Sequence, residues 1–335
     1  MKNKIVLQLL IVGVFIFAGC GSEDRTADLD KRELPVITVN VPAFNADSAY
    51  AFVNTQVEYG PRVPNTRAHV ETGDYIISKL EAYGFEVQTQ PFQATTFDGQ
   101  ELYLRNIIAS FNPNTTKRLL FATHWDTRPY ADKDEENPDN PIDGANDGAS
   151  GVGVLLEIAR SVFLAPNKPA VGLDLIFFDG EDWGELDSGP RVRTPEDLDS
   201  WWCLGSQYWS KNKHRSGYSA YYGILLDMVG GKNAQFPIEG YSNDYAGKVT
   251  RKVWDWGNFL GYSNYFIYDL KAPITDDHKY VNEIGKIPMM DIVHYEPGSG
   301  YFGDFHHTHD DNMDLIDKNT LEAVGNTLMH VLYHE

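Results

Sequence analysis

Apolar residues recur at helical spacing over residues 47–59 and again over 67–83, where Gly84 supplies the stop. Between these two helices Gly60-Pro61-Arg62-Val63-Pro64 reads as a rigid turn. The period then changes. Phe85, Val87 and Phe92 alternate with polar neighbours, as a half-exposed strand requires over 85–92. Strands follow at 103–109 and 118–123, the second apolar through Leu119, Leu120 and Phe121. A helix at 152–163, a strand at 171–178, a helix at 204–212, a strand at 222–228 and a helix at 245–260 continue the series. Strands at 265–268 and 287–293 and a helix at 318–332 close it. Two stretches interrupt the pattern: a charged, proline-bearing loop at 131–142 and a long insertion at 183–202. Alternating strands and helices predict an α/β fold, its sheet covered by helices on both faces. With no internal repeat and no second linker, residues 41–335 are predicted to form one domain.

The strand at 171–178 organises the rest. Leu173, Leu175, Ile176, Phe177 and Phe178 form a near-continuous apolar run, suited to a strand buried on both faces. It runs into Asp179-Gly180-Glu181-Asp182. Three acids crowded where a buried strand surfaces repel one another and raise at least one pKa. A bound cation would remove that cost. A solvated acidic turn would read the same in isolation, so the other polar clusters decide.

Those clusters also fall just after strands, where α/β sheets place their sites. They are His124-Trp125-Asp126, a glycine-rich turn at 144–151, Glu181-Asp182, Asp227, Asp276-Asp277-His278, and residues 305–311. The donors on offer are imidazoles and carboxylates. That set suits a catalytic zinc ion with three protein ligands and an open fourth position. The HExxH spacing is absent, so the ligands must be gathered from separate loops.

Composition narrows the partners. A formal charge of -20 over 335 residues argues against nucleic acid and against electrostatic docking on anionic lipid. It is compatible with a cationic substrate, such as a peptide presenting its free α-amine. Residues 1–20 read as a targeting segment: Lys2 and Lys4, an apolar run over 5–18, then Phe17-Ala18-Gly19-Cys20. The run is short for a membrane span. It resembles a bacterial lipoprotein signal, with Cys20 as the lipidated residue; a plain secretory signal is the alternative. The expectation is an exported lipoprotein of the periplasm or cell envelope. It would touch the membrane only through a lipid anchor at Cys20, with residues 21–40 as a flexible tether. Cys203 is then left without a disulfide partner and is expected to be packed and unreactive.

The segments GANDGASGVGVLLEIAR, LIFFDGED and HHTHDDN, in that order, resemble the zinc-dependent exopeptidase clan. HWDTRPYAD, CLGSQYW, LLDMVGG and TDDHKYV are similar to its glutaminyl-peptide cyclotransferase branch, and the likeness spans roughly residues 50–335. The resemblance implies a three-layer sandwich around a mixed, mostly parallel sheet. It implies one zinc ion held by Asp147, Asp182 and His307, with Glu181 as general base and acid. Asp227 and Asp277 would hydrogen-bond around Glu181, and Phe302 would form a pocket wall. His306 stands where animal members carry Trp, so the wall needs other aromatics, with Trp183, Trp201 and Trp202 as candidates. Asp182 stands where many members carry Glu. The implied reaction is cyclisation of an N-terminal glutamine to pyroglutamate with loss of ammonia. A metal-dependent aminopeptidase is the main alternative, with a second metal on His124 and Asp227 bridged by Asp147. A non-catalytic lipoprotein that binds metal or peptide is the third reading.

Overall fold

The computed structural model describes residues 35–186, 189–296, 298 and 301–335. The expected targeting segment, Cys20 and most of the expected tether lie outside the described residues. Among the described residues eight strands are formed: β1 (Glu86–Thr95), β2 (Glu101–Phe111), β3 (Arg118–His124), β4 (Gly172–Phe178), β5 (Tyr222–Asp227), β6 (Phe236–Ile238), β7 (Phe266–Leu270) and β8 (Met289–Val293). The helices are α1 (Ala46–Tyr59), α2 (Arg67–Ala82), α3 (Ala149–Leu164), α4 (Leu204–Lys211), α5 (Gly240–Phe259), α6 (Asp277–Glu283) and α7 (Lys318–Tyr333). Among the described residues no helix is long and apolar enough to cross a membrane.

Six strands make one sheet in the order β1-β2-β4-β3-β5-β8, and β6 pairs with β7 beside it. The β1–β2 and β2–β4 pairs are antiparallel, while β4, β3, β5 and β8 run parallel. The sheet is therefore mixed and mostly parallel. Every residue of β3, β4 and β5 is buried, the property their near-continuous apolar runs predict. Alternate side chains divide between two helix layers. Leu119, Phe121, Leu175, Phe177, Ile224 and Leu226 join the core made with α1, α3, α5 and α7. Leu120, Ala122, Ile176, Phe178 and Leu225 meet Trp209 of α4 and Val281 of α6 on the opposite face. Asp174 interrupts the apolar run of β4 without leaving a bare charge. Its oxygens accept from Arg118 Nε and Nη2 at 2.6 Å and from Ser110 and Tyr218 hydroxyls at 2.6 and 2.8 Å.

Helix α5 starts at Gly240, five residues before the periodicity suggests, because Glu239 caps it. The Glu239 carboxylate accepts from Tyr241 and Ser242 N–H at 2.8 and 2.7 Å, from Ile274 N–H at 2.9 Å, and faces His278 Nε2 at 3.0 Å. Burial pushes its pKa up, but these partners, His278 foremost, hold it down to about 2. A depressed carboxylate contributes stability above its unfolded value and loses it as pH falls. Between pH 4.5 and 2 the wild type should accordingly lose on the order of 3 kcal/mol more than Glu239→Gln does. Urea unfolding of both proteins across that window checks this, and parallel slopes would refute it.

Candidate metal centre

All the chemistry-bearing loops leave the same edge of the sheet, at the C-terminal ends of the parallel strands. β3 ends on His124, β4 runs into Asp179–Asp182 and β5 ends on Asp227. The glycine turn before α3 carries Asp147, the start of α6 carries Asp276 and Asp277, and the loop before α7 carries His306 and His307.

His307, Asp147 and Asp182, far apart in sequence, meet here. His307 Nε2 lies 3.2 Å from Asp182 Oδ1. Ring nitrogens of His307 and His306 and an oxygen of Asp147 lie within 4.8 Å of one another. A second donor set shares Asp147: His124 Nε2 is 2.9 Å from Asp147 Oδ1 and 3.3 Å from Asp227 Oδ1. Burial opposes a proton on His124, but Asp126, Asp147 and Asp227 raise its pKa well above the usual range. Both Asp182 oxygens and His307 Nδ1 are buried without a hydrogen-bond partner. Burial and the nearby Asp147 charge push the Asp182 carboxyl up strongly. A buried carboxylate without a hydrogen-bond partner, facing an imidazole nitrogen at 3.2 Å and close to a second carboxylate, is costly as a bare group and suited to a divalent cation.

Backbone hydrogen bonds to distant side chains fix this arrangement. Asp126 accepts from the N–H groups of Glu181 and Asp182 at 3.0 and 3.1 Å. Asp311 accepts from Asn146 and Asp147 N–H at 2.6 and 2.9 Å. The wholly buried Arg62 guanidinium donates to the carbonyls of Gly144 (2.7 Å), Asp147 (3.3 Å) and Asp143. Arg128 pairs with both oxygens of Asp132 at 2.6 and 2.9 Å, donates to the Asp182 carbonyl at 3.1 Å, and lies 4.7 Å from the Trp202 ring centre. The His307 ring stacks on His306 at 3.6 Å and runs parallel to Trp202 at 5.7 Å. Its backbone is left-handed, with φ 61°, so the surroundings must hold it there.

A cavity of about 820 Å³ opens over these groups. Asp147, Glu181, Asp227, Trp202, Phe302, His306 and His307 all line it. Trp183 and Trp201 do not. Trp183 packs among Val63, Phe92, Leu102 and Leu104, and the Trp201 indole donates to Val192 O at 2.9 Å inside the insertion. Asp277 is also off the cavity and wholly buried; its neighbour Asp276 lines the wall. Asp276 is the N-cap of α6, and its side chain accepts from Asp277 N–H. The cap residue faces the cavity and the first helical residue turns inward. A carboxylate oxygen of Asp276 lies within 4.8 Å of ligating atoms of Glu181 and Cys203.

Burial raises the Glu181 pKa well above the usual range; His124 opposes this, and the charges of Asp182, Asp276 and Asp277 add to it. Asp227 rises to about 7 through burial, against His124, with help from Asp147 and Asp276. The site thus sets a metal-ligand cluster beside carboxyl groups whose pKa values burial and neighbouring acids push up.

A mixed sheet whose parallel strands gather carboxylates and imidazoles at one buried point defines an exopeptidase-like metalloenzyme. The pattern of Peptidase family M28 matches residues 106–332, and the chain belongs to that family. It is similar to a Bacteroides thetaiotaomicron glutaminyl cyclase solved with N-acetylhistamine: 50% identity, 88% of this chain and 100% of that one covered, TM-score 0.84. A Zn-dependent exopeptidase from Parabacteroides distasonis is 48% identical over the same shares, also at TM-score 0.84. The glutaminyl-peptide cyclotransferase of Gloydius blomhoffii is 28% identical over 304 residues, 81% of this chain and 76% of that one. The protein is a zinc-dependent enzyme of this family, and the donor chemistry fits that metal.

Proposed function

We propose that the protein cyclises the N-terminal glutamine of peptides and proteins to pyroglutamate, releasing ammonia. The observation that carries this reading is that the carboxyl groups of Glu181, Asp227 and Asp276 line the same cavity as Asp147 and His307. Cyclisation needs a proton taken from the substrate's α-amine and one delivered to the departing ammonia, with no water as reactant. Glu181 would do both, and the rise of its pKa through burial supports a role in general acid–base catalysis. Asp276, the cavity-facing member of its pair, would stand beside Glu181 where the resemblance implies Asp277. Asp147, Asp182 and His307 would hold a single zinc ion. Bound there, zinc supplies a Lewis acid for the γ-amide carbonyl. Ring closure is intramolecular, so the cavity's main duty is orientation. Trp202, Phe302 and His306 would confine the glutaminyl side chain, and the remaining volume admits the residues that follow it.

The aminopeptidase reading keeps one specific observation in its favour, the second donor set at His124, Asp147 and Asp227. Incubation with a Gln-initiated peptide and with an aminoacyl anilide separates the two. Ammonia release from the first without cleavage of the second is the expected result, and the reverse pattern would establish the peptidase.

Export and lipid anchoring at Cys20 belong to the same proposal and are supported by residues 1–20 alone. Partition of the full-length protein into detergent should be lost in Cys20→Ala; unchanged partition would remove the anchor.

A further inference from the structure

We propose that Cys203 is a positioning residue for Glu181, an inference that rests on the cyclase reading. Glu181 is held at three points. Its N–H donates to Asp126 at 3.0 Å. Its carbonyl accepts from Cys203 N–H at 2.9 Å, and its Oε1 accepts from the Cys203 thiol at 3.0 Å. Leu204 N–H donates to the Gly180 carbonyl at 3.0 Å, so residues 203 and 204 clip the two residues before Asp182 to the start of α4.

The local conformation shows that this is not ordinary helix capping. Cys203 occupies the N-cap position of α4, yet its backbone is left-handed at φ 60° and ψ 39° and its side chain caps no N–H. N-caps normally use extended backbone and a Ser, Thr, Asp or Asn oxygen that accepts from the helix. A non-glycine residue in the left-handed region costs on the order of 1–2 kcal/mol. Here that conformation aims a wholly buried thiol at the proton-transfer carboxylate and away from the helix it precedes. With Oε1 occupied, the rotamer of Glu181 is fixed and Oε2 is the oxygen left for substrate. Asp276, within 4.8 Å of both groups, completes the enclosure. The thiol touches no reacting atom in this arrangement. Its effect is exerted through the orientation of Glu181.

The test compares Cys203→Ala with Cys203→Ser. Both remove the sulfur's volume and both must adopt the same backbone, but only serine keeps a donor. Wild type and both variants are assayed on a Gln-initiated peptide, with zinc content and thermal midpoint measured in parallel. Cys203→Ala should lower kcat about tenfold, the equivalent of one hydrogen bond's worth of orientation. KM and zinc content should stay within about twofold, since neither binding nor metal ligation changes. Cys203→Ser should recover most of kcat while sharing the alanine variant's thermal midpoint. Cys203→Gly, free of left-handed strain, repeats the deletion should the alanine variant fail to fold. Equal losses in the serine and alanine variants would show a packing role and overturn the inference. So would an alanine or glycine variant with wild-type kcat, leaving the cyclase reading intact. A wild type that releases no ammonia would bring down both.

Discussion

Glu181→Gln should keep its full zinc content and lose between about 10² and 10⁴-fold in kcat. The substitution is close to isosteric, and the Cys203 thiol and the Asp126 contact find the same acceptor and donor in place. What disappears is the capacity to hold and release a proton at one position on the cavity wall. Asp276 and Asp227 stay nearby, and burial keeps Asp227 near a pKa of about 7, but neither is placed by Cys203 and Asp126 as Glu181 is. KM should change little, because the carboxylate does its work on the reacting atoms and not on the rest of the peptide. Atomic absorption on the purified variant, together with steady-state ammonia release, measures both halves of the expectation. A variant with undiminished turnover would transfer the proton-moving role to another group and end the case for Glu181 as acid and base.

The parts of the molecule legible in the sequence are those that obey a period. β3, β4 and β5 are buried on both faces, so nearly every residue is apolar and the runs stand out. The clusters at their ends are legible for the same reason, since chemistry placed just after a buried strand breaks the apolar run abruptly. α6 has seven residues and β6 three, too few to display a period. With the start of α6 hidden, the phase of Asp276-Asp277 stays open, and nothing in the sequence marks the N-cap geometry that turns Asp276 outward.

Distance in sequence hides the rest. Arg62, Asp126 and Asp311 serve the site by hydrogen-bonding the backbone of other loops, a duty with no local signature. In the sequence Arg62 reads as part of a rigid turn, and Asp126 and Asp311 as members of polar clusters with no particular duty marked. Trp183 and Trp201, candidates for the pocket wall because His306 stands where animal members carry Trp, belong instead to a side cluster and to the insertion's own fold. Cys203 is packed, as expected, yet what its position accomplishes depends on a bend that no propensity favours.

The second large effect comes from removing a ligand. His307→Ala should purify without zinc and without measurable cyclase activity. His307 contributes the one imidazole of the proposed set, and its Nε2 is the atom that faces Asp182 Oδ1 at 3.2 Å. Two buried carboxylates left to bind a cation alone would favour oxygen-seeking ions over zinc. Loss of metal has a readout independent of turnover. Zinc present about 1,000-fold above its dissociation constant stabilises the folded wild type by roughly 4 kcal/mol. Chelation should therefore lower the wild-type thermal midpoint by several degrees and leave that of His307→Ala unmoved. The neighbouring imidazole supplies the control. His306 also has a ring nitrogen in the group with Asp147, but its Nδ1 is engaged by the Lys133 ammonium. If it were the ligand, His306→Ala would shed the metal and His307→Ala would keep it. A zinc ion held by His307 requires the opposite pair of results: zinc and chelator sensitivity retained in His306→Ala, and both lost in His307→Ala.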